Sequence, residues 1–308
     1  MELSVIICTH NPRHDYLRRV LDALREQTLS KEQWELVVVD NASTIPVSSV
    51  SDLSWHPNGR CVVEDQLGLA FARRRGMYEA KTDLIIFVDD DNVLDPDYLS
   101  QVLLIKREWP LLGVWGSGAT IPEFEVDLPK WSTYPISQVR DIANPCWSNV
   151  PSCSEAAPWG AGMCVRKEVT AAYCEHLESS SVQISDRQGK ILWGGGDAEI
   201  CLVACYAGFG MAVFPQLRLT HLIPGGRLTK SYLVRFTEGL VASDMLLEYK
   251  WAGKLPRSPL SPRGIGSMLK NVLLNRGFER RIQFARWRGA ISAERIIDAN
   301  RKRPANTK

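Results

Sequence analysis

No stretch of the 308 residues reaches the roughly 18 unbroken apolar residues that a membrane-spanning helix requires. No basic-then-apolar leader precedes the first apolar run at Leu3 either, so the chain reads as cytoplasmic. No Cys-x-x-Cys pair accompanies Cys201 and Cys205, and this argues against zinc. Cys8, Cys164, Cys201 and Cys205 lie in apolar runs and read as small buried hydrophobes rather than a disulfide framework. No internal repeat is visible, which argues against a solenoid. What remains, 45% hydrophobic and 23% charged, is an ordinary globular composition, long enough for one large domain with an appendage.

Charge is unevenly spread. Residues 253–308 carry 14 cationic against 3 anionic side chains, a balance of +11 that leaves −9 on residues 1–252. Met268, Leu269, Val272, Leu273, Phe278, Ile282 and Ala285 recur at helical spacing among Arg276, Arg280, Arg281, Arg286 and Arg288. Such a tail can lie on an anionic membrane surface, making the protein peripheral at the inner face of the membrane. It can equally cover its own domain with arginines snorkelling outward. No nucleic-acid-binding module is recognisable.

The densest signal is Asp89-Asp90-Asp91 at the end of the apolar run Leu84–Val88. A short, β-rich apolar run with a polar stop reads as a strand covered on both faces. Three adjacent carboxylates repel one another unless a cation sits among them. In an extended chain Asp89 and Asp91 point the same way, so the pair can converge on one hard divalent ion with a phosphate-bearing ligand behind it. Capping of the next helix does not need them, because Asp95-Pro96 supplies an N-cap and a first-turn proline.

The rest of the chain supplies a frame. Strands are expected at Leu3–Cys8, Trp34–Val39 and 61–64, and helices at Asp15–Gln27 and Gly68–Ala80. Alternation of strand and helix implies a largely parallel α/β sheet. Residues 119–158 read as a substrate-facing loop. A strand is expected at Gly160–Val165, a helix at Ile200–Ala207 ended by Gly208, and short strands at Met211–Phe214 and Leu217–Thr220. Helices follow from Thr229, broken at Pro256, Pro259 and Pro262.

In this order, Thr9-His10-Asn11, Val38-Val39-Asp40-Asn41-Ala42-Ser43, Gly68 to Gly76, the triple aspartate, Gly160 to Arg166, Gly196-Asp197-Ala198-Glu199 and His221 resemble the family-two glycosyltransferases. These are nucleotide-sugar-dependent enzymes of the GT-A fold, and the resemblance covers roughly residues 3–245. It implies a Rossmann-like, mainly parallel sheet flanked by helices over residues 1–252, with nucleotide binding in about 1–118 and acceptor and catalytic residues in about 119–252. Residues 253–308 would be a basic helical extension.

The same resemblance implies roles. Thr9, Asn11, Asp40, Arg73, Asp89 and Asp90 would bind the nucleotide, with Asp40 accepting from a uracil ring nitrogen, Arg73 beside the phosphates and Asp89 on the ribose. Asp91 and His221 would hold Mn²⁺ or Mg²⁺. Asp197 would be the base of an inverting transfer; Gly196 stands where the family has Glu, and Glu199 would supply the missing carboxylate. Trp193 could wall a sugar ring. The expected partners are a UDP-linked nucleotide-sugar and a saccharide or lipid-linked saccharide acceptor of surface polysaccharide synthesis. Two alternatives share the strand-end acids: a nucleotidyltransferase, and a catalytically silent nucleotide-sugar-binding protein.

Overall fold

The computed structural model describes residues 1–129, 139–152, 154–179 and 192–302. The chain runs β1 (Leu3–Thr9), α1 (His14–Arg25), β2 (Trp34–Asn41), β3 (Gly59–Glu64), α2 (Leu69–Glu79), β4 (Leu84–Asp89), β5 (Asn92–Leu94) and α3 (Tyr98–Glu108). It continues with β6 (Leu112–Phe124), the short β7 (Arg140–Asp141) and β8 (Cys146–Ser148), β9 (Met163–Arg166), α4 (Lys167–Ser179), α5 (Gly196–Tyr206) and β10 (Gly210–Ile223). Three helices follow: α6 (Lys230–Ala252), α7 (Pro262–Leu274) and α8 (Gly277–Lys302).

Every residue of β1 and β2 is buried, as strands covered on both faces require. Helix α1 turns Leu17, Val20, Leu21 and Leu24 inward. The sheet order is β3-β2-β1-β4-β9-β6-β10-β5, with β7 on β6 and β8 on β10. β3, β2, β1 and β4 are parallel, and so are β6 and β10; β9 runs antiparallel to both β4 and β6, and β5 antiparallel to β10. The sheet is therefore mixed rather than mainly parallel. An apolar run reports burial on both faces, but it carries no information about direction.

Three local expectations change. The segment expected as a loop from residue 119 begins as strand, because β6 extends to Phe124, and it later contributes β7 and β8; residues 130–138 and Cys153 of that segment lie outside the described residues. The two short strands around Pro215 are one strand, β10, whose pairing with β6 slips between Phe214 and Arg218. A Cβ at Gly118 would collide with the backbone of Phe214, so glycine allows β6 to approach this bulge. The N-cap of α3 is Asp97, not Asp95, which instead sits 3.7 Å from Arg218.

The chain forms two compact units, residues 1–178 with 197–224, and residues 179–196 with 225–308. The expected boundary at residue 252 is thus displaced to 224, for a packing reason. Helix α6 joins α8 in the second unit, where Ala242 and Leu246 meet Ala293 and Ile297. A Cβ at Gly289 would strike the carbonyl of Glu238, so this glycine lets the helices touch closely. Ile282, Ala285, Gly289, Ala293 and Ile297 form the buried stripe of α8. Of the two readings of the arginine-rich tail, packing on its own chain holds for α8. Among the described residues no helix is long and apolar enough to cross a membrane.

Candidate functional site

Register brings the expected nucleotide-side residues level. β1 and β2 pair Thr9 with Asp40, and β1 and β4 pair Cys8 with Asp89, so three parallel strands end together at their carboxyl edge. Ligands of open α/β sheets bind at such an edge. The Thr9 hydroxyl donates to Asp90 across the gap. Asn11 and Ala42 adopt left-handed backbone, at φ 49° and 53°. The Asn11 side chain accepts from Thr44 N–H at 2.8 Å, and its own N–H donates to Ser43 Oγ at 2.9 Å. For Ala42 that conformation is costly, and it persists because both loops are tied together.

Asp40 is 3% exposed, and each of its oxygens accepts a backbone N–H from its own loop, Ser43 at 3.1 Å and Val47 at 2.8 Å. Its observed work is to shape that loop. Asn41 ties the end of β2 to the entry of α2, donating to the carbonyls of Glu64 and Gln66 and accepting from Gly68 N–H at 2.7 Å.

The triple aspartate does not continue as strand. β4 ends at Asp89, Asp90 and Asp91 make a turn, and β5 starts at Asn92, so the strand alternation that would aim Asp89 and Asp91 alike is lost. Asp90 faces Thr9, whereas Asp91, only 6% exposed, faces β10. Antiparallel pairing sets His221 opposite Asn92, and Leu222 N–H donates to the Asp91 carbonyl at 2.8 Å. His221 Nε2 consequently lies 3.6 Å from Asp91 Oδ2. Asn92 is buried and holds the turn from within: its amide donates to Asp91 Oδ1 at 3.0 Å, and its carbonyl accepts from Asp89 N–H at 3.3 Å.

Among the described residues no group of three or more His, Cys, Asp or Glu side chains gathers around one point. Asp91 and His221 offer two donors, a carboxylate and an imidazole. Mg²⁺ and Mn²⁺ in phosphate-handling sites take few protein ligands and complete their shells with phosphate and water oxygens, so this pair fits such an ion.

A second cluster is built around Gly160. Asp197, in the first turn of α5, accepts from Gly160 N–H at 3.1 Å and from Ala198 N–H at 2.8 Å. Helix N-termini favour such an anion. A Cβ on Gly160 would run into the Arg73 guanidinium, so the glycine is what admits Arg73 beside the Asp197 loop. Arg73 rides on α2, which presses on β1 and β2 at Gly76, where a Cβ would overlap Ile6. Burial pushes the Cys8 thiol up to about 12, with Arg73 pulling the other way, so Cys8 stays a neutral core residue. Arg140 stacks on the Trp159 ring at 4.1 Å and donates to the carbonyls of Ser117 and Ala157. Burial lowers its guanidinium below the usual range, opposed by Cys146, Cys201 and Asp197.

Asp197 and Glu199 are not brought together. Two residues along a helix turn about 200°, and Glu199 points inward, fully buried, with Oε1 3.4 Å from His176 Nε2 on α4. Glu199 therefore does not stand beside Asp197 as the missing second acid. Trp193, half-buried, packs against the Ala242, Leu246, Ala293 and Ile297 cluster of the helical unit. Asn92, Arg140 and Trp159 were not singled out from the sequence. Asn92 had a local signal, since an Asn directly after a strand-end acid run is a turn former able to accept and donate at once. Arg140 and Trp159 had none.

Residues 4–139 match the family model described as glycosyl transferase family 2. Over 105 residues the chain is 36% identical to validoxylamine A glucosyltransferase of Streptomyces hygroscopicus subsp. limoneus, covering 33% of this chain and 23% of that protein. Over 146 residues it is 28% identical to the poly(ribitol-phosphate) beta-N-acetylglucosaminyltransferase TarS of Staphylococcus aureus, covering 42% of this chain and 24% of TarS. The chain matches between about a quarter and a half of the length of such curated relatives. The crystal structure of S. aureus TarS 1-349 superposes with a TM-score of 0.53 at 14% identity, over 98% of this chain and 91% of that one. The same TarS fragment in complex with UDP gives 0.52 at 14% identity, over the same shares of both chains. The mixed sheet and the superposition on TarS show the GT-A fold, and over residues 4–139 the chain is similar to glycosyl transferase family 2.

Proposed function

We propose that the chain transfers a sugar from a UDP-linked donor to a saccharide hydroxyl with inversion, using Mn²⁺ or Mg²⁺ held by Asp91 and His221. The observation that carries this reading is the meeting of those two side chains, 130 residues apart in sequence, at 3.6 Å beside the carboxyl ends of β1, β2 and β4. When bound, the ion would neutralise the diphosphate and let the nucleoside diphosphate depart as a stabilised anion. The TarS fragment is described in complex with UDP and with UDP-GlcNAc, which supports a UDP-sugar here.

The protein's own groups divide the remaining work. Asp197 takes the proton of the acceptor hydroxyl as the new glycosidic bond forms and the bond from the sugar to the diphosphate breaks. Its two backbone donors hold it aimed. Arg73 places a fixed cation near the nucleotide side, where it counters phosphate charge. Thr9 orients Asp90, and Asn92 orients Asp91. The acceptor is a surface polysaccharide or lipid-linked saccharide; the name of TarS, with its poly(ribitol-phosphate) acceptor, supports a polymer.

The test is release of UDP from a panel of UDP-sugars in the presence and absence of Mn²⁺, with thermal stabilisation as the binding readout. The unmodified protein should release UDP only with metal, and Asp91→Asn should lose metal-dependent donor binding while keeping its melting temperature. Pyrophosphate release from a nucleoside triphosphate, or full turnover in Asp91→Asn, would overturn the reading.

A further inference from the structure

The helical unit leaves one face of one helix uncovered: α7 rests on α8 with Gly264, Met268 and Val272 half-buried, and its other side is open. None of the 13 residues of α7 is buried, although the helix is well formed, with Ser261 accepting from Gly264 N–H at 3.1 Å as its N-cap. Ile265, Leu269 and Leu273 follow one another at intervals of four, so they share one face, and they are 38%, 50% and 76% exposed. Leu260 and Leu274 extend the exposed apolar surface at either end. This differs from α8, whose apolar stripe is spent on α6.

The charges around that face are all of one sign. Between Gly253 and Phe278 the chain carries Lys254, Arg257, Arg263, Lys270 and Arg276, all exposed, and no Asp or Glu. On a helical projection Arg263 and Lys270 flank the leucine stripe beside Leu273. A second copy of this chain would bring the same uncompensated cations against the stripe and be repelled. The surface needs a partner that is apolar inside and anionic outside.

We propose that α7 docks in the plane of an anionic bilayer, with Ile265, Leu269 and Leu273 set between lipid tails and Arg263 and Lys270 at the phosphate level. At about 1.5 Å per residue the helix is some 20 Å long, too short to span and suited to lying flat. The cations draw the helix to anionic lipid, and the leucines hold it there. This inference is independent of the proposed transfer reaction, and its test reads no activity.

The experiment is cosedimentation of the full chain with vesicles of phosphatidylglycerol and phosphatidylcholine, or of phosphatidylcholine alone, at low and high salt. Strong binding to the anionic vesicles at low salt is expected, falling in high salt and on phosphatidylcholine. The double substitution Leu269→Gln with Leu273→Gln should cut binding about tenfold or more, and Arg263→Gln with Lys270→Gln should weaken the salt dependence, with Lys254, Arg257 and Arg276 supplying what remains. Neither pair should move the thermal midpoint, because these side chains are exposed. No binding at low salt, or binding untouched by the leucine substitutions, would overturn the proposal. So would a concentration-dependent dimer in light scattering that the leucine substitutions dissolve, since the face would then be a self-interface.

Discussion

The acids of the first unit and the bases of the second are handled in opposite ways. Asp40, Asp91 and Asp197 each hold hydrogen bonds from named neighbours, and Asp40 and Asp91 are buried. Arg263, Lys270, Arg280, Arg281 and Arg286 stand exposed on helix surfaces. Removing an acid from water costs several kcal/mol unless it is bonded, so burial there signals a position specified to a fraction of an ångström. An exposed arginine surface specifies only a charge density. The first suits a small ligand of fixed geometry, and the second a deformable partner.

The contrast breaks most sharply at α5. Asp197→Asn should lose roughly 10²- to 10⁴-fold in turnover while donor affinity, read by thermal stabilisation, is kept. Glu199→Gln should instead lower the melting temperature and leave turnover near normal, because Glu199 is buried against His176. A large loss of turnover in Glu199→Gln at unchanged stability would show that the base has been assigned to the wrong acid.

A smaller effect sharpens it. Asn92 touches no reacting atom in the proposed reaction, but it positions Asp91. Asn92→Ala should raise the Mn²⁺ concentration for half-maximal activation by roughly 10- to 100-fold, the scale of lost outer-shell support. A role confined to stability would lower the melting temperature and leave the metal response unmoved. The smallest effect belongs to the exposed bases: Arg280→Gln, Arg281→Gln and Arg286→Gln should each change urea stability by no more than about 0.5 kcal/mol. A larger loss would mean that α8 relies on those charges for folding.

Much of the first unit is readable from the chain because burial leaves a one-dimensional trace. Leu3–Thr9, Trp34–Asn41 and Leu84–Asp89 are mainly apolar runs, interrupted only at Ser4 and Glu35 before their polar stops, and the stops mark the site edge. Direction leaves no such trace, and β9 looks alike whichever way it runs. Pro215 reads as a break, yet a bulge carries pairing past it. Pro256 marks the end of α6, but which unit α6 joins depends on small residues of α8 such as Gly289, far along the sequence. In the site, Asp91 was legible as an acid at a strand end. Its pairing with His221 rests on the register of β5 against β10, which no local pattern encodes, and a helical wheel alone would have separated Asp197 from Glu199.

The irregularity in β10 also acts as a counting device. Past Phe214 the strand resumes its pairing with β6 at Arg218, and from there the chain alternates sides until His221 arrives opposite Asn92. A strand has a period of two, so a single residue added or removed between the bulge and His221 would turn the imidazole to the other side of the sheet. Length in this segment is thus under tighter constraint than composition: side chains there can be exchanged, but none can be inserted or deleted.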